Sequence, residues 1–316
     1  MSIEKCETFL ADYFGKKHCI LTGNGTIALA ICYSFMPHGK KKVILPSIVC
    51  PNLVYALSYT SKEAVFADVL DSNATIDPDS VRELLENDST IGAIVAVHLY
   101  GHQAHIDKLR LIADQYKVLL IEDIAQSMGG LGDNGQLLGS VGDCAVMSFG
   151  STKIVDVKEG GGILVNNNQL AKKARKFIEL LPDKGDVDRK NHLLEIYREL
   201  FYSVWNGGSY NADFYQIFDH FPSLFKDLYY VSINDNSARK ILLAFKDLDS
   251  RIKHRKTIYN IYQNFLSSIE GIILFDNTMH EVSWRFSFRV VNNKYRNDLV
   301  KTIRDAGFDA SIWYPC

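Results

Sequence analysis

The sequence has few cysteines, and they form no pattern. Cys6, Cys19, Cys32, Cys50, Cys144 and Cys316 are scattered, with no CxxC pair among them. That spacing suits neither a disulfide framework nor a zinc site, so reduced thiols and no bound metal are expected. Cys19, Cys32 and Cys144 fall inside apolar runs and read as small core residues. The start, Met1-Ser2-Ile3-Glu4-Lys5-Cys6, lacks the basic residues and apolar run of a secretory signal. No apolar stretch approaches the ~18 residues of a membrane span. An excess of one charge is also missing: 35 Lys and Arg stand against 37 Asp and Glu, a formal net charge of −2. Such a balance leaves no electrostatic footprint for nucleic acid or an anionic membrane. Repeats, low-complexity tracts and Pro/Gly-rich linkers are absent. The expectation is a cytoplasmic globular protein with no nucleic-acid or membrane partner.

The 316 residues, 47% of them hydrophobic, suffice for one large domain and a smaller one. Short apolar runs at 18–21, 43–46, 64–68, 93–98, 118–122, 145–148 and 162–165 read as strands, with helical patterns at 25–35, 78–85 and 106–116 between them. Pro78 suits a first helical turn, where its missing N–H costs little. Runs as continuous as Val118-Leu119-Leu120-Ile121 imply a sheet buried on both faces, hence an α/β domain with mostly parallel strands. Ligands of such sheets gather beyond the carboxyl ends of the strands. After Lys176 the texture changes. Residues 181–230 are rich in aromatics (Phe201, Tyr202, Trp205, Tyr210, Phe214, Tyr215), 237–265 has the pattern of one long helix, and a strand at 283–291 and a helix at 297–306 follow. The expected division is a large domain over 1–235 and a small α+β domain over 236–316.

Three places carry chemistry. Gly23-Asn24-Gly25-Thr26 opens the helix after the first strand, where free N–H groups can hold a phosphate or simply form a helix cap. Glu122-Asp123-Ile124-Ala125-Gln126 ends a central strand; a carboxylate at that depth needs a partner, whether a cationic ring nitrogen or a helix N-terminus. Ser148-Phe149-Gly150-Ser151-Thr152-Lys153 sets a lysine among small polar residues between two apolar strands, as either a solvated loop residue or an imine-forming amine. Taken together, a phosphate cradle, an acidic strand end and a lysine in a Ser/Gly-rich loop match the needs of pyridoxal 5′-phosphate (PLP).

The sequence resembles the DegT family of PLP-dependent sugar aminotransferases. The residues that carry the resemblance are Asn24-Gly25-Thr26-Ile27-Ala28-Leu29, Val43-Ile44-Leu45-Pro46-Ser47, Val97-His98-Leu99-Tyr100-Gly101, Glu122-Asp123-Ile124-Ala125-Gln126-Ser127, Ser140-Val141-Gly142-Asp143, Ser148-Phe149, Thr152-Lys153 and Glu159-Gly160-Gly161. It continues more weakly to Arg255, in Ala306-Gly307-Phe308 and in Trp313-Tyr314-Pro315. It implies a fold-type-I transferase with a seven-stranded, mostly parallel sheet and a small C-terminal domain, working as a homodimer. It implies amino transfer from an amino acid, glutamate, to a nucleotide-linked keto-sugar. By the same resemblance Lys153 binds PLP as a Schiff base and shuttles the proton. Asp123 pairs with the pyridinium nitrogen, Gln126 touches the ring, and Gly25, Thr26 and Ser148 hold the phosphate. His98 is readable as a packed or a catalytic histidine.

Four departures qualify the resemblance. Cys50 takes the place where the family puts an aromatic over the ring. The Asn-x-Arg element that reaches a neighbouring subunit's phosphate is missing around Tyr230-Val231-Ser232, and nearby Asn234 and Asn236 receive no role. Lys158 stands where a small residue is usual. The chain also stops at Tyr314-Pro315-Cys316, where relatives continue, so either a shortened C-terminal domain or a compact branch is expected. The alternative activities are sugar dehydration or epimerisation with the same cofactor, for which dehydratases of the family carry histidine in place of Lys153, or a regulatory relative without turnover. Arg285 and Arg289 are candidates for a substrate carboxylate or phosphate, with surface solvation the favoured reading.

Overall fold

Branched aliphatic runs place seven short strands at the centre of the molecule: β1 His18–Thr22, β2 Lys42–Pro46, β3 Glu63–Ala67, β4 Ile91–Val97, β5 Leu119–Asp123, β6 Cys144–Ser148 and β7 Gly161–Val165. They form one sheet in the order β1-β7-β6-β5-β4-β2-β3. Only β7 runs against its neighbours, β1 and β6; the other pairings are parallel. The fold class and all seven strands agree with the sequence reading to within two residues at either end. The computed structural model describes residues 2–182, 226–276 and 281–312, together with 192, 193, 195 and 196. Most of the aromatic-rich stretch and the ending at Trp313-Tyr314-Pro315-Cys316 lie outside them.

Helices cover both faces, as a sheet of continuous apolar runs requires. They are α1 Ser2–Tyr13, α2 Gly25–Tyr33, α3 Pro51–Leu57, α4 Pro78–Asn87, α5 Ile106–Tyr116 and α6 Asn168–Glu179. Alternation along β5 divides the core. Leu120 points to the cluster made with Val81, Ile106, Leu109 and Ile112 of α4 and α5; Ile121 points to the cluster containing Ile27, Leu29 and Ile31 of α2. Helix α2 is apolar around nearly its whole circumference, and every residue after Gly25 is buried.

The long helix expected at 237–265 is two helices, α7 Asp235–Phe245 and α8 Leu248–Leu266. The break follows from packing. Phe245 turns edge-on into Phe9, Tyr13 and Phe14, so α7 is tied to α1, which α8 then leaves behind. Asn234 caps α7 by accepting from Ser237 N–H at 3.0 Å. The expected strand at 283–291 is reduced to β9 Phe288–Val290, antiparallel to β8 Ile272–Leu274, because Trp284 N–H is drawn away to Tyr100 O at 2.7 Å. Helix α9, Asn293–Asp305, begins four residues earlier than expected because Asn292 caps it. Among the described residues no helix is long and apolar enough to cross a membrane.

The register gathers the chemistry at one end. Thr22 and Ser148, the last residues of β1 and β6, both pair with Gly161, the first of the reversed strand β7. A β-carbon on Gly161 would lie 2.4 Å from the carbonyl carbon of Asn24 and 2.6 Å from Gly25 N, both backbone atoms. Only glycine permits this approach. Gly161→Ala is expected to destabilise the protein by about 1–3 kcal/mol, the usual cost of forced overpacking, measured by urea unfolding. An unchanged midpoint would contradict this packing.

Candidate active site

The loop between β1 and α2 is held from several sides. Asn24 Oδ1 accepts from Ile27 N–H at 3.0 Å, and its Nδ2 donates to Tyr229 O at 2.7 Å. Thr22 Oγ1 donates to Asn24 O at 2.8 Å. Asn24 thus caps the third helical residue, while the N–H groups of Gly25 and Thr26 lie in the first turn, where no intrahelical acceptor exists. Helix capping and anion binding are therefore compatible here. Ser148 closes the other side: a β-carbon on Gly25 would sit 3.0 Å from Ser148 Cβ and 3.2 Å from its hydroxyl. Gly25, Thr26 and Ser148, named from sequence, are brought together.

The two acids that end β5 point to opposite faces and meet different surroundings. Glu122 is fully buried and accepts from the N–H groups of Gly139 at 2.8 Å, Val141 at 2.7 Å, and Gly142. His98 Nε2 stands 3.3 Å from it. Burial alone would raise the Glu122 carboxyl, but the bonds from His98, Gly142 and Gly139 outweigh it and hold the group below its ordinary value. Since His98 Nδ1 accepts from Ala104 N–H at 3.1 Å, its proton sits on Nε2 and points to Glu122. Both ring nitrogens are spent on the protein, and His98 is a packed histidine.

Asp123 is also buried, but with less support. Burial pushes its carboxyl above the usual range, and Ala125 N–H, at 2.9 Å, and the charge of Lys153 only partly offset this. An acid in that condition gains from an added cation close by.

Lys153 follows Thr152, which sits in the left-handed region at φ 70°, a costly conformation for a β-branched residue. Asp156 holds it there by accepting Thr152 N–H at 2.7 Å. Lys153 is half-buried, and its Nζ lies over the ring of Trp284, 4.9 Å from the centroid. Lys158 is left-handed too, at φ 65°, which gives a backbone reason for a small residue at that position.

The remaining candidates fall around this centre. Gln126 is buried, its amide oxygen accepting Tyr100 N–H at 2.7 Å. Cys50 is half-buried at the N-cap of α3, packed against the main core. Arg285 and Arg289 pair with Asp309 and Asp71 at exposed positions, in keeping with the favoured surface reading. Trp284 was missed as a site residue. It lies in a run that reads as an ordinary strand, and nothing local in the sequence marks a tryptophan that folds back onto a loop 132 residues earlier.

The donor set fits PLP: first-turn N–H groups and a hydroxyl for a phosphate, a carboxyl raised by burial, and an amine in the same field. Among the described residues no cluster of three or more His, Cys, Asp or Glu suits a metal ion.

The family model for the DegT/DnrJ/EryC1/StrS aminotransferase family matches residues 1–316. A GDP-perosamine synthase of Caulobacter vibrioides is 34% identical over 174 residues, covering 55% of this chain and 46% of its own. The chain thus spans about half the length of the first curated relatives it matches. Among solved structures, DesV of S. venezuelae is similar with a TM-score of 0.76 and 22% identity, over 100% of this chain and 75% of that one. An E. coli GDP-4-keto-6-deoxy-D-mannose-3-dehydratase with bound hydrated PLP gives 0.75 and 19%, over 98% and 77%. At these identities the structures show the shared fold.

Glu122→Gln is expected to cost about 1–3 kcal/mol near neutral pH, since an amide cannot accept from all the donors the carboxylate satisfies. Because the folded carboxyl is depressed, its contribution is full above the unfolded value, about 4.3, and fades as pH falls below it. Urea unfolding at pH 7 and pH 3.5 checks this: the deficit of the variant should shrink at the lower pH, and a constant deficit would contradict it.

Proposed function

Because the chain belongs to the DegT/DnrJ/EryC1/StrS aminotransferase family, we propose that it is a PLP-dependent aminotransferase. It moves an amino group from an amino acid, glutamate, to a nucleotide-linked keto-sugar. The observation that carries this is the Asp123 carboxyl, raised by burial, within the field of Lys153 at the sheet end where α2 opens. Relatives named GDP-perosamine synthase and dTDP-3-amino-3,4,6-trideoxy-alpha-D-glucose transaminase support the substrate class.

PLP, when bound, supplies an aldehyde to take the amino group and a ring to draw electrons from the donor's Cα–H bond. The protein's part follows from its own groups. Gly25 and Thr26 offer N–H donors and Ser148 a hydroxyl to the phosphate. Asp123 holds the ring nitrogen protonated, and the cation relieves the burial that raises its carboxyl. Gln126 and Cys50 would be the side chains that contact the ring. Lys153 would hold the cofactor through its amine and, once the incoming amino donor has displaced it from that bond, would move the proton at the donor's Cα. A lysine at this place favours amino transfer over dehydration.

The same proposal includes a homodimer in the cytoplasm and a division into residues 1–235 and 236–316. The β8–β9 pair with α9 supports a separate small unit, while Ile241 and Phe245 seat α7 in the principal core.

Lys153→Ala is expected to lower amino transfer by at least about 10³-fold, read as 2-oxoglutarate released from glutamate in the presence of a nucleotide-linked keto-sugar. Mass spectrometry of the sugar, with proton NMR to detect an epimer of unchanged mass, decides among the readings. An amino sugar supports transfer, and a deoxygenated sugar would establish the dehydratase. No change in either substrate would favour the regulatory relative.

A further inference from the structure

Trp284 belongs to the C-terminal part of the chain, yet each of its polar groups is engaged at the site. Its backbone N–H donates to Tyr100 O at 2.7 Å, and its indole Nε1–H donates to Thr152 O at 2.6 Å. Its own carbonyl accepts from Arg255 Nη1 at 2.8 Å. Arg255 also reaches Ser283 O at 3.4 Å, and burial lowers its guanidinium, with Arg285 and Arg251 adding like charge. The segment is pressed against its support. A β-carbon on Gly101, at φ 104°, would lie 2.1 Å from Val282 O, so the chain passes in direct backbone contact with the turn after His98. Just before it, Glu281 is buried, accepting from Gln103 N–H at 2.9 Å and lying 3.1 Å from His102 Nδ1. The result is a tryptophan only 7% exposed whose ring face is presented to Lys153 Nζ.

Two contacts act on Lys153 at once. The indole N–H grips the carbonyl of Thr152, the residue whose left-handed backbone aims the lysine, while Asp156 grips its N–H. The ring face then offers the side-chain nitrogen an electrostatic seat 4.9 Å from its centroid. Arg285 shares the ring, its guanidinium 5.1 Å from the centroid, but answers also to Asp309.

We propose that Trp284 is a positioning residue for Lys153: its π-face holds the lysine ammonium when the amine is not bound to cofactor, and its indole N–H fixes the backbone that aims it. The proposal rests on the reading of Lys153 as the attachment lysine. It makes the C-terminal part of the chain a working component of the cofactor site.

The test uses the full chain freed of cofactor, so it stands apart from amino transfer. Competitive acetylation with acetic anhydride at neutral pH, followed by peptide mass mapping, gives the rate at Lys153 relative to exposed Lys172 and Lys173. Trp284→Leu keeps apolar bulk without a π-face, and Trp284→Phe keeps a face. The leucine variant should label Lys153 about fivefold faster than the unsubstituted protein, and the phenylalanine variant within about twofold, as expected for a cation–π contact partly shielded from water. Buried Lys16 reports folding; a variant that also labels there is replaced by Trp284→Met, which likewise lacks the face. Equal rates at Lys153 in the two variants, whether raised or unchanged, or a faster rate in the phenylalanine variant, would overturn the proposal. Unsubstituted protein that is given PLP and carries no pyridoxyl group on Lys153 after borohydride reduction would instead count against Lys153 as the attachment lysine.

Discussion

A carboxyl buried at the centre of the sheet without an adequate countercharge is the constraint to which the rest of the site answers. Asp123 ends β5, the central strand of the order β1-β7-β6-β5-β4-β2-β3, and burial there drives its carboxyl upward. A fold that needed only stability would treat such a group as it treats Glu122, one residue earlier, surrounded by N–H donors and a histidine. The contrast between adjacent acids separates scaffold from function. Glu122 is satisfied by the protein and holds the loop at residues 139–142, whereas Asp123 has only Ala125 N–H and nearby charge set against its burial, which is the ground for proposing that it meets a ligand's cation.

The other parts are placed by the sheet. Reversal of β7 brings its first residue, Gly161, between the ends of β1 and β6, and so draws the α2 entrance, Ser148 and the Lys153 loop to the end where Asp123 lies. Backbone contact at Gly161 and Gly101 leaves no room for side chains, and the left-handed turns at Thr152 and Lys158 bend the lysine loop back over the strand ends. Such strain persists because surrounding bonds fix it, Asp156 and Trp284 at Thr152.

The sheet was legible in the sequence because strands buried on both faces must be apolar without interruption, and 118–121 and 93–97 read that way. The candidate site residues could be named for a related reason: Asp123 and Ser148 end such runs and Gly25 and Lys153 follow a few residues later, where a change to small and polar residues is conspicuous. What stayed hidden depended on tertiary contact. The break between α7 and α8 is set by Phe245 reaching α1, which an uninterrupted helical pattern does not record. The shortened strand before β9 and the position of Trp284 depend on Tyr100 O and Thr152 O, distant in sequence. His98 could be resolved only by its partners, since one ring nitrogen needed Glu122 and the other Ala104 N–H.

The most direct test of the central claim, that Lys153 binds PLP in the field of Asp123, is borohydride reduction of the purified protein followed by peptide mass mapping. A pyridoxyl group on Lys153, with visible absorbance that bleaches when glutamate precedes the reduction, is the predicted result. A protein given PLP that carries no label at Lys153 would contradict the account.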